Sequence, residues 1–372
     1  MSKCKICKSE DLISLYKIDN LPLFQNKVYI SLDIAKSQKV VNVDLCQCNS
    51  CGFVFNSLFT NDEMEYDETY QNEQNYSKYF VDYLNEIINY LIENNFQDKK
   101  IVEIGCGKGY FTELLEKKGF KDVYGFDPAY EGNNPNITKD YFGEKYKSIN
   151  ADLVIIRHVL EHIENPYEFL QNIKKASSKN TKILIEVPDF KWIVENRAFW
   201  DIFYEHCNYF DSEFLSSFFI ETKIKRVFGS QYLLMFASLD ELSKPYVKHR
   251  YPKNIFEKSF KNIKEFLLQY TPLVLWGGAS KGVTLLNIFD KNRQLIEYCI
   301  DINPKKQDKF IATTGHKIFA PEILQNYSEV KCNILIVNQN YYNEIIKNYE
   351  NSNIKFYSLE KIINQKYGII IK

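Results

Sequence analysis

The sequence predicts an α/β protein in which two Rossmann-like units follow a small cysteine-rich module. Two CxxC pairs lie within the first 51 of the 372 residues. Apolar strand-like stretches then alternate with amphipathic helical stretches, and the same alternation restarts after a polar segment. Such alternation favours βαβ units and parallel sheets. We therefore predict a module at 1–75, a first unit at 76–245 and a second unit at 246–372.

Bulk composition limits the classes of function. The net charge is -1 and the basic residues are scattered, which argues against a nucleic-acid partner. The chain has no run of about 18 apolar residues and begins without an apolar secretory signal, so we expect no membrane segment and a soluble, cytoplasmic protein. Nine cysteines are an odd number, and free thiols fit a reducing compartment.

The N-terminal module carries the predicted metal ligands. Cys4 and Cys7 form one CxxC pair, and Cys48 and Cys51 form the other. Two thiolate pairs on tight turns can close a tetrahedron around one zinc ion. We favour zinc over the alternative that these thiols are small core residues, although Cys46 adds a fifth sulfur nearby. Four thiolates leave no open position, so the predicted role of zinc is structural.

The first unit begins with an amphipathic helix at FVDYLNEIINYLIENN and continues as strand, glycine turn and helix at KKIVEIGCGKGYFTELLEKKGF. Further strands are predicted at VYGFDP, ADLVIIRHVLEHI and TKILIEVPD, with a short third strand before Asp140. Glu103, Gly105, Gly107 and Gly109 lie where the first strand ends. Glycines allow a ligand to approach bare backbone, and an acid after the second strand can bind a ribose diol. With Asp127 in that place, the pattern indicates an adenosyl cofactor.

EIGCGKGYF, the downstream FDP and RHVLEHIENP resemble the motifs of class I S-adenosylmethionine (SAM) methyltransferases. The resemblance implies a class I SAM methyltransferase sheet, and Asp127 would bind the ribose. The methionine end would be held by Glu103, Gly105, Cys106, Gly107 and Gly109. Residues flanking the sulfonium or the substrate would be Arg157, His158 and Leu160.

Two further positions in the first unit have alternative interpretations. Asp140 either binds the adenine amine or is a solvent-facing loop acid. His158 and His162 are four residues apart and could form a metal pair, but the sequence offers no third ligand, so structural or substrate-lining roles are favoured.

The second unit restarts with a helix at FEKSFKNIKEFLLQY and a strand and glycine turn at PLVLWGGASKG. The turn, residues 277–282, could bind phosphate through Lys281. Its irregular glycine spacing favours a docking or sugar-nucleotide role over a dinucleotide. Strands follow at IEYCIDINP, CNILIVNQN and IKFYSL, with helices at TLLNIFDKN and YYNEIIKNYE.

The segment FYEHCNYF, residues 203–210, places Glu205 beside His206. It follows a strand that ends near 189 and precedes a helix capped by Asp211. Open α/β sheets bind ligands at this edge. Taken alone, the segment is better explained as an ordinary loop with a surface Glu and a half-buried His, since most polar loop residues are solvated.

The CxxC pairs, the SAM motifs, the EH segment and the stretches WGGASKGVTLLN, DINPKKQ and APEIL together resemble three-domain sugar C-methyltransferases of deoxysugar biosynthesis. The resemblance implies a nucleotide-linked 4-ketosugar as substrate. His206 would be the catalytic base and Glu205 the neighbouring acid. This chain departs from the family pattern YxEH, because it has Phe203 where the pattern has a tyrosine. The remaining residues expected at the active site are Tyr204, Tyr70, Asn208 and Lys281.

The implied chemistry is C-methylation. A carbon beside a ketone becomes nucleophilic when a base removes its proton and a donor stabilises the enolate. Two alternatives remain at this point. One is O-methylation, in which His206 deprotonates a sugar hydroxyl, and the other is a non-catalytic scaffold with a SAM-type fold.

Overall fold

The computed structural model describes residues 2–62, 64, 67, 69–327, 332–349 and 353–364. Residues 365–372, the last eight of the predicted second unit, lie outside the described residues. Residues 63, 65, 66 and 68, which precede Tyr70 in the sequence, also lie outside them. The N-terminal module contains β1 (Leu12–Pro22), β2 (Val28–Tyr29), α1 (Leu32–Lys36), β3 (Val40–Cys48) and β4 (Val54–Asn56).

The first unit opens with α2 (Lys78–Glu93), β5 (Lys100–Ile104), α3 (Tyr110–Lys117), β6 (Asp122–Phe126), β7 (Ile137–Thr138) and β8 (Leu153–Arg157). It continues with α4 (Pro166–Ala176), β9 (Lys182–Pro188), α5 (Phe190–Glu195), β10 (Asn208–Tyr209), α6 (Ser212–Ser216), β11 (Thr222–Val227) and β12 (Tyr232–Ser238). Seven of these strands form one sheet in the order β11-β12-β9-β8-β5-β6-β7. The five strands from β9 to β7 are parallel, and β12 and β11 are antiparallel additions.

The second unit contains α7 (Glu257–Tyr270), β13 (Leu273–Trp276), α8 (Ser280–Phe289), β14 (Ile296–Ile300), β15 (Phe310–Ile311) and β16 (Ile318–Phe319). It ends with β17 (Cys332–Ile336), α9 (Tyr342–Lys347), β18 (Ile354–Ser358) and α10 (Leu359–Asn364). Its sheet is parallel throughout, in the order β16-β14-β13-β17-β18. The predicted class of fold, with two Rossmann-like sheets, is therefore confirmed.

Local sequence explains the first helix of the first unit. Ser77 caps α2, because its hydroxyl accepts a hydrogen bond from the Phe80 backbone N–H at 3.3 Å. Phe80, Leu84, Ile87 and Leu91 recur every three or four residues and are all buried. This spacing puts them on one helix face, which packs against the apolar side of the sheet. The sequence predicted this helix correctly.

The connection between β9 and α6 is more structured than predicted. The sequence indicated a simple loop there, but the chain forms α5, a short 3₁₀ turn and β10. Phe199 and Trp200 of that turn are fully buried, and the Phe199 ring stacks on Phe260 of the second unit with centroids 4.4 Å apart. The predicted cap is confirmed, since Asp211 accepts from the Phe214 N–H at 2.7 Å. The segment that carries residues 203–210 is thus anchored at both ends.

The module joins both units through strand pairs. β10 of the first unit pairs antiparallel with β4, and β15 of the second unit pairs antiparallel with β2. Neither pair was predicted, because two-residue strands leave no periodic pattern. Within the described ranges, no helix has the length and apolar character needed to cross a membrane.

Candidate active site

A cleft of about 420 Å³ lies between the two Rossmann-like units. The carboxyl ends of β5 and β8 reach it from the first unit, and the end of β13 reaches it from the second. Nine of the predicted site residues line it: Tyr70, Glu103, Gly105, Cys106, Gly107, Arg157, His158, His206 and Lys281. Ligands of open α/β sheets bind at this edge, so the cleft is the candidate active site.

The glycine turn after β5 forms one wall. Gly107 has a left-handed backbone with φ 55°, and a Cβ added there would meet no heavy atom of the described residues within 4 Å. Asp127 accepts hydrogen bonds from the N–H groups of Gly107 and Ala129, both at 2.8 Å. Burial raises the pKa of the Asp127 carboxyl above its usual value. The turn therefore offers an open backbone cradle beside a half-buried carboxylate, which fits an adenosyl group with its ribose diol.

A buried ionic cluster supports the adjacent wall. Arg157 Nε lies 2.6 Å from a Glu186 oxygen, and His158 Nε2 lies 3.0 Å from the other. Burial alone would raise the pKa of Glu186, but the charges of Arg157 and His158 outweigh it and lower the pKa to about 2. Burial would likewise lower the pKa of His158, yet the Glu186 charge raises it to about 9. At neutral pH His158 is consequently a fixed cation at the cleft.

Sequence analysis missed Glu186. The available signal was a single carboxylate within the otherwise apolar TKILIEVP strand, since a buried charge requires a partner.

His206 presents a neutral imidazole to the cleft. The ring lies 4.0 Å from the Phe203 ring and 4.8 Å from the His162 ring, measured between centroids. Burial lowers the pKa of His206 well below its usual value, and the nearby His162, His158 and Lys281 act in the same direction. An unprotonated imidazole is the form that accepts a proton.

Glu205 lies behind the cleft wall and is fully buried. Its Oε2 accepts a hydrogen bond from the Gln25 N–H at 3.0 Å. Burial raises the pKa of Glu205 to about 8, and the hydrogen bonds from Gln25 and from the Tyr70 side chain oppose that rise. The Tyr70 hydroxyl also accepts from the Asn26 amide at 3.2 Å. Tyr70 thus connects the buried Glu205 to the cleft.

The remaining predicted residues do not line the cleft. The Tyr204 hydroxyl accepts from the Thr60 N–H at 3.1 Å, inside the module. Asn208 donates to the backbone carbonyls of Leu160 and Ile163.

Asp140 is also occupied by protein partners. Hydrogen bonds from Lys145 and Tyr146 lower its pKa to about 2, as expected for a paired loop acid. Gly109 caps α3 with φ 85°, and Leu160 is a fully buried core residue.

Lys281 reaches the cleft from the start of α8. Its Nζ lies 2.8 Å from Asp201 and 3.0 Å from the Gln231 side-chain oxygen. Lys306, buried on the same side, lies 3.5 Å from Asp301. The second unit therefore contributes two lysines to its face of the cleft, and the sequence had indicated only the first.

The four predicted metal ligands of the module come together. Cys4 Sγ lies 3.6 Å from Cys51 Sγ, and Cys7 Sγ lies 3.5 Å from Cys48 Sγ. A tetrahedron with Zn–S bonds of about 2.3 Å requires S–S separations of about 3.8 Å, so the arrangement fits a metal ion. Cys46 is engaged elsewhere, by Asp44 and Ser57. The geometry therefore favours the paired set over a set that includes Cys46.

Two family models match the chain. "Methyltransferase domain" matches residues 73–222, and "C-methyltransferase C-terminal domain" matches residues 253–356. The C-methyltransferase NovU of Streptomyces niveus is 22% identical over 393 aligned residues, covering 94% of this chain and 92% of the relative. A ubiquinone biosynthesis O-methyltransferase of Rickettsia bellii is 32% identical over 117 residues, covering 26% of this chain and 48% of that protein. A SAM-dependent methyltransferase structure from Archaeoglobus fulgidus is 19% identical with a TM-score of 0.34, covering 44% of this chain and all of that one.

Proposed function

We propose that this SAM-dependent methyltransferase methylates a carbon beside the ketone of a nucleotide-linked sugar. The observation that carries the proposal is the neutral His206 imidazole in a cleft between an adenosyl-type glycine turn and a lysine-bearing second unit. The likeness to a protein named as a C-methyltransferase along almost the whole chain supports transfer to carbon.

The first unit would hold the cofactor. SAM supplies an electrophilic methyl group on a sulfonium sulfur. The glycine turn at Gly105 and Gly107, whose backbone is open at Gly107, would receive the methionine end, and Asp127 would bind the ribose hydroxyls. Glu103 lies buried beneath the turn, where its carboxylate accepts from the Thr112 hydroxyl at 2.6 Å. That contact fixes the turn beside the cleft.

His206 would generate the nucleophile. It takes the proton from the carbon beside the ketone, and the C–H electron pair becomes the enolate. The enolate carbon then bonds to the methyl carbon while the sulfur retains the electrons of the broken S–CH₃ bond. Removal of one proton and transfer of CH₃⁺ leave the sugar with unchanged charge, and the proton remains on His206 until solvent removes it.

The enolate oxygen requires a donor or a positive charge. Tyr70 lines the cleft with its hydroxyl held by Asn26, and His158, which also lines the cleft, provides a fixed cation. Phe203 also lines the cleft but has no hydroxyl. We assign the stabilising role to Tyr70, because it lines the cleft and its side chain is hydrogen-bonded to Glu205, the neighbour of His206.

The second unit would bind the nucleotide diphosphate. Lys281 and Lys306 line the cleft together with the glycine turn at Gly277. A pair of lysines beside exposed backbone is suited to phosphate oxygens. Asp201 and Gln231 accept two of the three hydrogens of the Lys281 ammonium group, which leaves one donor for a phosphate oxygen.

The test is proton exchange in heavy water without SAM, using a panel of nucleotide-linked 4-ketosugars. The wild type should exchange the hydrogen beside the ketone, as seen by mass spectrometry or NMR. His206→Asn should slow this exchange by about 100-fold or more, the usual contribution of a general base. His249→Asn is the matched control, because His249 is exposed, packs edge-on against Tyr251 and does not line the cleft.

Methyl transfer without exchange in the wild type would contradict the enolate route. The position of the new methyl group in the product would then identify O-methylation, the activity named in the Rickettsia relative of the first unit.

We also propose that the module holds one structural zinc ion through Cys4, Cys7, Cys48 and Cys51. The zinc would cross-link β3 to the N-terminal segment, so Cys48→Ser should lose the metal and lower the melting temperature. Metal analysis of the native protein should give about one zinc per chain. Cys46→Ser is the control and should retain it. A metal-free native protein, or equal loss in the two variants, would contradict the proposal.

A further inference from the structure

A second cluster of potential ligands lies in the cleft, apart from the cysteines. Potential ligand atoms of Glu161, His162 and His206 all lie within 4.8 Å of one another. All three residues line the cleft. We propose that these residues form a binding site for a divalent transition-metal ion, and that the ion blocks His206 as a base. The blocking effect rests on the function proposed above, whereas binding does not.

Glu161 provides the independent observation. Its side chain is only 1% exposed, and its Oε2 has no hydrogen-bond partner among the described residues. The other oxygen, Oε1, lies 3.2 Å from His158 Nδ1. A buried carboxylate oxygen without a partner is costly, because desolvation is not offset. A cation bound in the cleft would satisfy it.

His162 is oriented as a metal ligand would be. Its Nδ1 lies 2.9 Å from the Glu205 carbonyl oxygen. A carbonyl only accepts, so Nδ1 carries the hydrogen and Nε2 carries the lone pair. Metal-binding histidines commonly donate their second ring nitrogen to a carbonyl in this way, and second-sphere partners also hold the ligating carboxylates. Here the Glu205 carbonyl oxygen is the second-sphere partner of His162, and His158 is that of Glu161.

The donor set determines the class of metal. Two imidazoles and one carboxylate favour first-row transition ions over Mg²⁺ or Ca²⁺, which prefer oxygen ligands. Three protein ligands leave further coordination positions for water. Once the His206 nitrogen shares its lone pair with the metal, it can no longer accept the substrate proton. The site thus makes the enzyme sensitive to transition-metal ions.

The sequence could not reveal this set. It offered His158 and His162 as a pair, but the actual grouping replaces His158 with the neighbouring Glu161 and adds His206 from a distant segment. His158 instead pairs with Glu186.

The experiment titrates the zinc-replete, full-length protein with Co²⁺ and follows visible absorption and heat. The wild type should bind one additional Co²⁺ per chain, with d–d bands but without the thiolate charge-transfer band that binding at the cysteines would produce. Glu161→Gln and His162→Asn should each weaken binding by at least about 10-fold. Glu164→Gln and His249→Asn are matched controls outside the cluster and should bind as the wild type does.

Folding of the variants is checked by S-adenosylhomocysteine binding and by the melting temperature without cobalt. Absence of an additional Co²⁺ in the wild type, or undiminished affinity in both cluster variants, would overturn the site. In the exchange assay, saturating Co²⁺ should stop wild-type exchange, and exchange that persists would overturn the blocking effect. Cobalt binding that depends on Glu161 and His162, together with no exchange in the metal-free wild type, would retain the site and reject the proposed function.

Discussion

In both Rossmann-like units an aspartate after the second strand accepts a hydrogen bond from the glycine turn after the first strand. The charged groups around the two aspartates differ. In the first unit Asp127, just after β6, accepts from the N–H groups of Gly107 and Ala129. In the second unit Asp301, just after β14, accepts from the N–H groups of Gly278 and Asn303 at 3.1 and 2.9 Å. Each acid thereby joins the second strand to the glycine turn after the first strand. Their surroundings, however, suit them to different ligands.

The two aspartates differ in whether a lysine lies beside them. Lys306 lies 3.5 Å from Asp301 and is only 4% exposed, whereas no cation lies within ion-pair distance of Asp127 in the part of the chain that is described. A carboxylate without a cation can bind a ribose diol, while a lysine-paired carboxylate leaves the local charge near neutral and the lysine available to phosphate. Equivalent positions in duplicated folds therefore do not imply equivalent ligands.

The strongest test of this difference is a pair of substitutions. Asp127→Asn should weaken SAM binding by at least about 100-fold, because two hydrogen bonds to a charged group contribute about 1.5 to 3 kcal/mol each. Asp301→Asn should change SAM affinity by less than about 3-fold, since this side chain lies in the other unit and makes no predicted contact with the cofactor. Calorimetric titration of both variants measures the contrast.

Equal losses of SAM affinity in the two variants would break the comparison, because they would mean that both acids serve one ligand. The melting temperature of each variant is the control, as both side chains also hold glycine turns in place.

Much of the fold could be predicted because its signals are local. The helix α2 has a cap and a regular apolar face, and the parallel strands are short apolar runs between helices. The β11–β12 hairpin was missed as an antiparallel addition, and the pairs β4–β10 and β2–β15 depend on contacts between distant segments. Two-residue strands have no pattern of their own, so only the folded chain reveals them.

The site was predictable where a motif defines it and not where burial defines it. Gly105, Gly107 and His206 could be chosen by motif, and they line the cleft. Glu161 and Glu186 are ordinary acids in the sequence and acquire their importance from desolvation. That Glu205 lies behind the wall, and not in the cleft, also depends on packing that the sequence does not encode locally.

A second contrast between the units concerns buried charge. In the first unit Arg157 of β8 lies opposite Glu186 of β9, and the corresponding parallel pair in the second unit is Ile336 of β17 opposite Ser358 of β18. The first unit thus buries ions where the second has an apolar side chain and a hydroxyl. Ion pairs make stability depend on pH, while the apolar arrangement does not.

This contrast predicts a measurable acid sensitivity in the first unit. The pKa of Glu186 is near 4.5 when unfolded and is lowered to about 2 in the fold. Its contribution to the free energy of unfolding is therefore complete above about pH 5 and is lost as pH falls towards 2. Linkage gives a loss of about 1 kcal/mol between pH 5.5 and pH 4. In this range His158, whose pKa is raised in the fold, is protonated in both the folded and the unfolded chain and adds no opposing change. In Glu186→Gln this pH-dependent part of the free energy of unfolding should disappear. The variant should also be less stable at every pH, because Arg157 and His158 lose their partner.

The measurement is urea unfolding at both pH values, compared as the difference between wild type and variant so that common effects, including metal loss, cancel. Glu93→Gln is the matched control, because Glu93 is exposed at the end of α2. It should retain the wild-type pH dependence. If Glu186→Gln also retained it, the acid sensitivity would have to arise elsewhere, and the buried ions of the first unit would not distinguish it from the second.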